Sequence, residues 1–156
     1  MKHIKTLKTP LGDIDIYLDS SAQSGDEFYA RMGRLFANKV IVQELGEPFT
    51  DSPDHTWAVA IHDCCVVGVG SLQDLGKKKG WLTHAFVCRL YRRYGVHRAL
   101  FRARLEHARA IGLEQVQGLA VPATVRTFEQ EGFSLAGKRG SFPLYELLMV
   151  QGVPLL

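Results

Sequence analysis

The chain has 156 residues, 46% hydrophobic, 22% charged and 10% aromatic, which excludes a disordered, collagen-like or disulfide-scaffold protein. A chain of this length can bury one continuous core, and residues 1–156 are expected to form a single domain. The net charge is +3, but residues 89–109 hold seven arginines against one acid, Glu106, so this window carries +6 and the remainder −3; an anion is the natural partner of such a segment.

In chain order, residues 4–8 read as a strand. Pro10, Leu11 and Gly12 form a turn, and residues 13–18 form a second strand, with Ile14, Ile16 and Leu18 on one face. Ser24-Gly25-Asp26 is a helix entry in which Asp26 can cap; Phe28, Met32, Leu35 and Phe36 recur at helical spacing over residues 27–37. Residues 44–55 read as a loop that contains His55, Asp51 and Asp54. Residues 56–61 and 64–72 are β-rich runs joined by His62-Asp63, a hairpin signal that places Cys64 and Cys65 in a buried strand. Lys77-Lys78-Lys79-Gly80 reads as a solvated turn and residues 81–87 as a strand. Residues 96–111 are the clearest helix, with Leu100, Phe101, Ala103, Leu105, Ala108 and Ile111 in a broad apolar stripe and Gly112 at its end. Residues 115–120 form a short strand. Pro122 opens a helix whose inner face carries Val125 and Phe128. Residues 134–138 and 142–150 close the chain as a hairpin around Arg139-Gly140. The mixture of hairpins and crossovers implies an α/β (or α+β) fold, a mixed central sheet flanked by helices.

The informative stretch is residues 86–100, where a strand ends, a basic turn follows and the long helix opens. Orphan N–H groups and the helix dipole make such a turn a phosphate cradle. Gly95 permits close backbone approach, and Arg92, Arg93 and Arg98 add guanidinium donors suited to phosphate. The string Arg92-x-x-Gly95-x-His97 resembles the Arg/Gln-x-x-Gly-x-Gly/Ala motif of the GNAT acyltransferase superfamily. A second match is the helix ending in Gly132-Phe133 just before the last two strands, and the element order over residues 13–150 is also the family's. The resemblance implies that the turn binds the pyrophosphate of acetyl-CoA or another acyl-CoA through backbone amides. Phe86, Val87, Arg92, Arg93, Tyr94, Gly95, Val96, His97, Arg98 and Phe128 are the implied cofactor contacts.

The chain departs from the family pattern at several positions. His97 stands where Gly or Ala is usual, although a histidine also occurs there in the histone-acetyltransferase branch. Arg93 replaces a glycine; either it holds an ordinary negative-φ conformation or the turn differs. Phe128 occupies the place of a tyrosine that protonates the leaving thiolate, and Val121 that of an asparagine. The strand at 80–87 lacks the glutamate that serves the histone-acetyltransferase branch as base.

His84 is the one titratable group on that strand, on the same face as Leu82 and Phe86. It can serve as general base with a pKa near ~6.5, or be a core histidine. The Val87 N–H is the candidate for polarising the thioester, as an oxyanion donor. Tyr145 can replace the missing acid or simply pack across strands. Cys88, beside Arg89, is a weaker candidate nucleophile, its thiol acidified by the basic setting. The six histidines show no close pair, so no metal site is expected.

The resemblance therefore implies acyl transfer from acyl-CoA to an amine acceptor by direct attack on the thioester. The alternative is a GNAT-like module that has lost catalysis and holds coenzyme A or a nucleotide in a regulatory or interaction role. A nucleic-acid partner is disfavoured, because the overall charge is modest and the cofactor motif already claims Arg92 and Arg93. No apolar run approaches the ~20 residues of a membrane span, residues 1–10 hold no signal-peptide apolar stretch, and the three cysteines lack metal-ligand spacing. A cytoplasmic protein with reduced thiols and no membrane partner is expected. A homodimer remains open, with the apolar residues 150–156 available to help form it.

Overall fold

The computed structural model describes residues 1–149. Its elements are β1 (Lys2–Thr9), β2 (Gly12–Asp19), α1 (Ser21–Ser24), α2 (Asp26–Phe36), α3 (Lys39–Leu45), β3 (His55–His62) and β4 (Cys65–Gly76). They continue with β5 (Lys79–Val87), a 3-10 turn (Arg89–Tyr91), α4 (Val96–Ala110), β6 (Gln115–Leu119), α5 (Val125–Gln130), β7 (Ser134–Arg139) and β8 (Phe142–Leu148). The hydrogen-bonded strand order is β1-β2-β3-β4-β5-β6-β8-β7. β5 pairs with β6 in parallel, while β1–β2, β2–β3, β6–β8 and β7–β8 are antiparallel, so the sheet is mixed as expected. No helix among the described residues is long and apolar enough to cross a membrane. The apolar residues 150–156 lie outside the described chain.

Two compact units divide it: Met1–Ser71 with His84–Arg104, and Leu72–Thr83 with the described chain from Leu105 onward. The boundaries fall within β4, β5 and α4.

In the first unit, period-two alternation sorts the strands onto two faces. Ile14, Ile16, Ala58 and Ala60 pack with Val96, Leu100 and Ala103 of α4. Trp57, Val59 and Val69 pack with Phe28, Met32 and Leu35 of α2, Ile41 of α3 and Phe49. Ser20 caps α1 by accepting from the Gln23 N–H, and the buried Asp19 carboxylate receives Ser24 Oγ, the Ser20 N–H and Arg31 Nη2. Gly25, not Asp26, is the N-cap of α2, and Asp26 begins the helix with its charge facing the positive end of the dipole. Within the segment expected as loop, α3 runs to Leu45 and β3 begins at His55, burying that ring to 5% exposure.

The β3–β4 turn is one residue later than expected. Asp63 (φ 47°) and Cys64 (φ 62°) both adopt the left-handed conformation of a type I′ hairpin. This puts Cys64 in the turn itself and leaves Cys64 and Cys65 exposed, not in the core. Lys77 (φ 54°) and Lys78 (φ 60°) make the second such turn, and Lys79 and Gly80 already belong to β5.

In the second unit, Gly118 of β6 lies under the Phe128 ring, where a Cβ would come within 2.8 Å of Cζ. Phe128 packs edge-on to Phe133 at 5.1 Å and stacks on Tyr145 at 5.4 Å. α5 starts at Val125 after Thr124, so Pro122 belongs to the preceding turn and not to the first helical turn.

Candidate functional site

The basic turn is built by what flanks it. The Cys88 N–H donates to Val67 O (2.8 Å), fixing the end of β5. Alternation then aims the Val87 N–H away from β4, and the β6 ladder is confined to Lys79–Leu82, so it does not reach Val87. Arg92 donates from Nε to Val87 O (2.8 Å), ion-pairs through Nη2 with Glu44, and lies 5.5 Å over the Phe86 ring. Arg89 lies 3.9 Å from the same Glu44 carboxylate.

Arg93 has φ +70°, so the turn does differ: a non-glycine residue takes the left-handed conformation in place of the family's glycine. Gly95 follows at φ +82°, with no atom within 4 Å of where a Cβ would sit, so the chain approaches an open face there. The first helical bond runs from the Ala99 N–H to Gly95 O, which places the Val96 and His97 N–H groups ahead of the ladder. Val96 is buried and anchors the helix; Tyr94 is exposed and Arg98 stands in the first turn. Two left-handed residues, leading amides and flanking arginines together form a cradle that fits a pyrophosphate.

His97 differs from expectation in its side chain. The ring turns inward, 6.2 Å from Phe101, and its Nε2 is buried without a hydrogen-bond partner. Burial, then the nearby Arg104 guanidinium, push its pKa down to about 4. What His97 offers the cradle is its backbone. Arg104 was expected among the helical arginines and is instead 2% exposed: Nε donates to Leu100 O and Nη1 to Ser71 O (3.1 Å). Gly70 makes room for it, since a Cβ there would meet Arg104 Cζ at 2.7 Å.

His84 lies within β5 but takes a left-handed φ of +52°. Its ring shares the Trp57 face with Phe86, stacking on Trp57 (5.7 Å, 12° between planes) and lying edge-on to Phe49 at 5.8 Å. Nε2 is 2.9 Å from the exposed Thr50 Oγ1. Desolvation chiefly, and His55 second, hold its pKa at about 4, so it is neutral at neutral pH rather than partly charged. Around it stand residues that the sequence reading left unassigned: His55, Trp57, and Asp51, which accepts from Trp57 Nε1 and Tyr29 OH. The one signal that could have found the first two is their i, i+2 spacing, which puts both rings on one strand face.

Cys88 is half-buried, and burial raises its thiol pKa despite Arg92, which removes the activated-nucleophile reading. In the second unit, Tyr145 OH donates to Glu129 Oε1 (3.0 Å); burial and that carboxylate push its pKa up. Phe128 is 5% exposed in the packing described above, which leaves its ring little surface for a ligand.

A family model described as the acetyltransferase (GNAT) family matches residues 17–133, well over half of the chain. The chain belongs to that family. No curated protein matches the sequence. Among solved structures, it is similar to an acyl-CoA N-acyltransferase from Pseudomonas aeruginosa (TM-score 0.69, 16% identity, covering 85% of this chain and 98% of that one). It is also similar to the PaiA N-acetyltransferase of Thermoplasma acidophilum in complex with coenzyme A (TM-score 0.59, 13% identity, 87% and 99%). A third is nourseothricin acetyltransferase (TM-score 0.54, 21% identity, 65% and 69%). At these identities the likeness establishes the fold.

Proposed function

We propose that the chain is an acyl-CoA-dependent N-acyltransferase, acetyl-CoA being the first candidate donor, and that its two units form one acyltransferase domain. The observation that carries this reading is the open turn at Arg93–Gly95 ahead of α4. Leading amides of α4, with Arg92, Arg93 and Arg98, would hold the pyrophosphate, and Phe86 and Val87 would line the pantetheine arm. Acyl-CoA, when bound, supplies an activated thioester acyl group. The Val87 N–H donates to the acyl carbonyl oxygen, where negative charge gathers. His84 Nε2, neutral and beside Thr50, accepts the proton of the attacking amine directly or through a water. Tyr145 already donates its proton to Glu129, so we assign it no acid role; as the C–N bond forms the C–S bond breaks, and coenzyme A would leave as a thiolate that takes its proton from solvent. Positioning and carbonyl polarisation would supply most of the rate.

A second reading, a catalytically degenerate module that holds coenzyme A or a nucleotide, draws on the weak basicity of His84 and the committed Tyr145 proton. One experiment separates the two: titration with coenzyme A and acetyl-CoA, then thiol release across a panel of amines. Micromolar binding with thiol release supports the enzyme. Binding without release from any amine supports the module. A folded chain that binds neither ligand overturns both.

A further inference from the structure

The exposed cysteine pair at the β3–β4 turn and the open edge of β7 carry no ligand argument, but the rings around His84 do carry one about proton control. His55 begins β3, is 5% exposed, and shares a 3.2 Å hydrogen bond between its Nδ1 and Ser71 Oγ. Ser71 is itself fully buried on β4, and its carbonyl is held by Arg104 from α4. His55 is thus fixed at one nitrogen by a residue that is fixed in turn. Its ring stacks on Trp57 (6.1 Å, 23°) and on His84 (6.0 Å, 27°). Gly70, beside Ser71, gives Arg104 the space it needs.

We propose that His55 is a positioning residue for His84: anchored through Ser71 and stacked on His84, it makes the two imidazoles one unit that accepts a single proton. This rests on the reading of His84 as the base. Two imidazoles this close and this shielded repel a second positive charge, so their protonation is coupled. The charged and titratable groups around the pair are few. Asp51 and Asp54, on the loop before β3, favour a proton on His55, and Tyr29 of α2 bonds Asp51. Arg104 reaches the pair only through Ser71, and Thr50 presents a neutral hydroxyl. The low pKa of His84, lowered partly by His55, fits this picture. An amine proton taken by His84 would then depend on the state of His55, a ring that substrate never needs to touch.

The test is a histidine NMR titration of the full chain between about pH 3 and pH 8, without donor or acceptor, so that a midpoint near 4 is inside the range. In the wild type, His84 should stay almost wholly neutral at pH 5. In His55→Phe, which keeps a ring but removes the charge, the His84 midpoint should rise by about one pH unit. Coupling is reciprocal, so His84→Gln must raise the His55 midpoint by the same amount. Equal upward shifts support the proposal. Unchanged midpoints, or a shift in one direction without the other, overturn it. Should His55→Phe not fold, the His84→Gln arm decides alone, because His84 is only half-buried. Thiol release by His55→Phe adds a second readout: the acid limb of the pH–rate profile should move up by the same unit while KM for acetyl-CoA stays within about two-fold. An intact coupled pair in a chain that never releases thiol would sink the acyltransferase reading and with it the positioning role of His55, whereas uncoupled rings in a chain that does release thiol would sink this inference alone.

Discussion

Arg92 makes three contacts at once, to Val87 O, to Glu44 and to the Phe86 face, and each bears on ligand binding differently. The bond to Val87 holds the end of β5 in place, whereas the Glu44 carboxylate occupies the guanidinium edge that a phosphate would use. Removing the competitor should therefore help. Glu44→Gln is expected to tighten coenzyme A binding about three- to ten-fold by calorimetry, since a charge-assisted bond contributes roughly 1.5–3 kcal/mol, and less when half-exposed. Arg92→Ala should weaken binding about ten-fold or more, and Arg109→Ala hardly at all. Equal losses from the two arginines would mean a diffuse basic surface. His97 gives a stability prediction. Its folded pKa of about 4 lies below the unfolded value near 6.5, so the unfolded chain binds more protons between those limits. Its contribution is complete above pH 6.5 and is lost as pH falls through 4. His97→Leu should remove about 2 kcal/mol of the wild-type loss between pH 7.5 and pH 5, read from urea midpoints at both values. It should also relieve the unpartnered Nε2. Parallel curves for the two proteins would show that the ring is not buried neutral.

Elements were legible where pattern and punctuation agreed. The alternation of Ile14 and Ile16, the apolar stripe of α4 from Leu100 to Ala108 and the Gly132-Phe133 stop are where the sequence puts them, whereas Ile111, expected at the end of that stripe, lies just past the helix and is exposed. α3 was hidden because Val40, Ile41 and Val42 are poor helix formers, and packing of Ile41 overrides that preference. Its Asn38 cap and left-handed Gly46 were the available signals. The two hairpin turns misled by a residue because Asp63-Cys64 and Lys77-Lys78 do the work usually given to Asn-Gly. Arg93 hid the shape of the cradle for the same reason, and so did the φ of His84. A left-handed non-glycine residue costs about 1–2 kcal/mol. Lys78→Gly should therefore raise the melting temperature by roughly 2–8 °C in a scanning calorimeter, allowing about 2–4 °C per kcal/mol for a chain of this size. A lower melting point would mean that the Lys78 side chain, which reaches Glu114, contributes more than its backbone strain costs.

At the scale of the whole molecule, the +6 window overstated the positive surface. One of its arginines is buried and two more face Glu44, a counter-charge that no local spacing revealed. That is why the motif could be read from sequence while the ring cluster around His84 could not: the cradle is contiguous, whereas His55, Ser71, His84 and Arg104 meet only on folding. The proposal of one domain has a direct check. Trp57 lies in the first unit and Trp81 in the second, and they are the two tryptophans of the chain. In Trp81→Phe, Trp57 fluorescence and far-UV circular dichroism should give coincident unfolding midpoints. Separate transitions would make the units independent.

The Gly70 notch filled by Arg104 also bears on how the chain is made. Ser71 and the arginine that grips its carbonyl are 33 residues apart. A ribosome adding ~5–20 residues per second synthesises β4 roughly 2–7 s before it reaches Arg104. Once β4 has left the exit tunnel, and until Arg104 follows it after a similar interval, the nascent β3–β4 hairpin exposes the backbone groove that the guanidinium will fill, together with His55, whose anchor Ser71 is not yet braced. A chaperone that shields this hairpin during translation would act at the step where the polypeptide has His55 and Ser71 but not the helix that braces them.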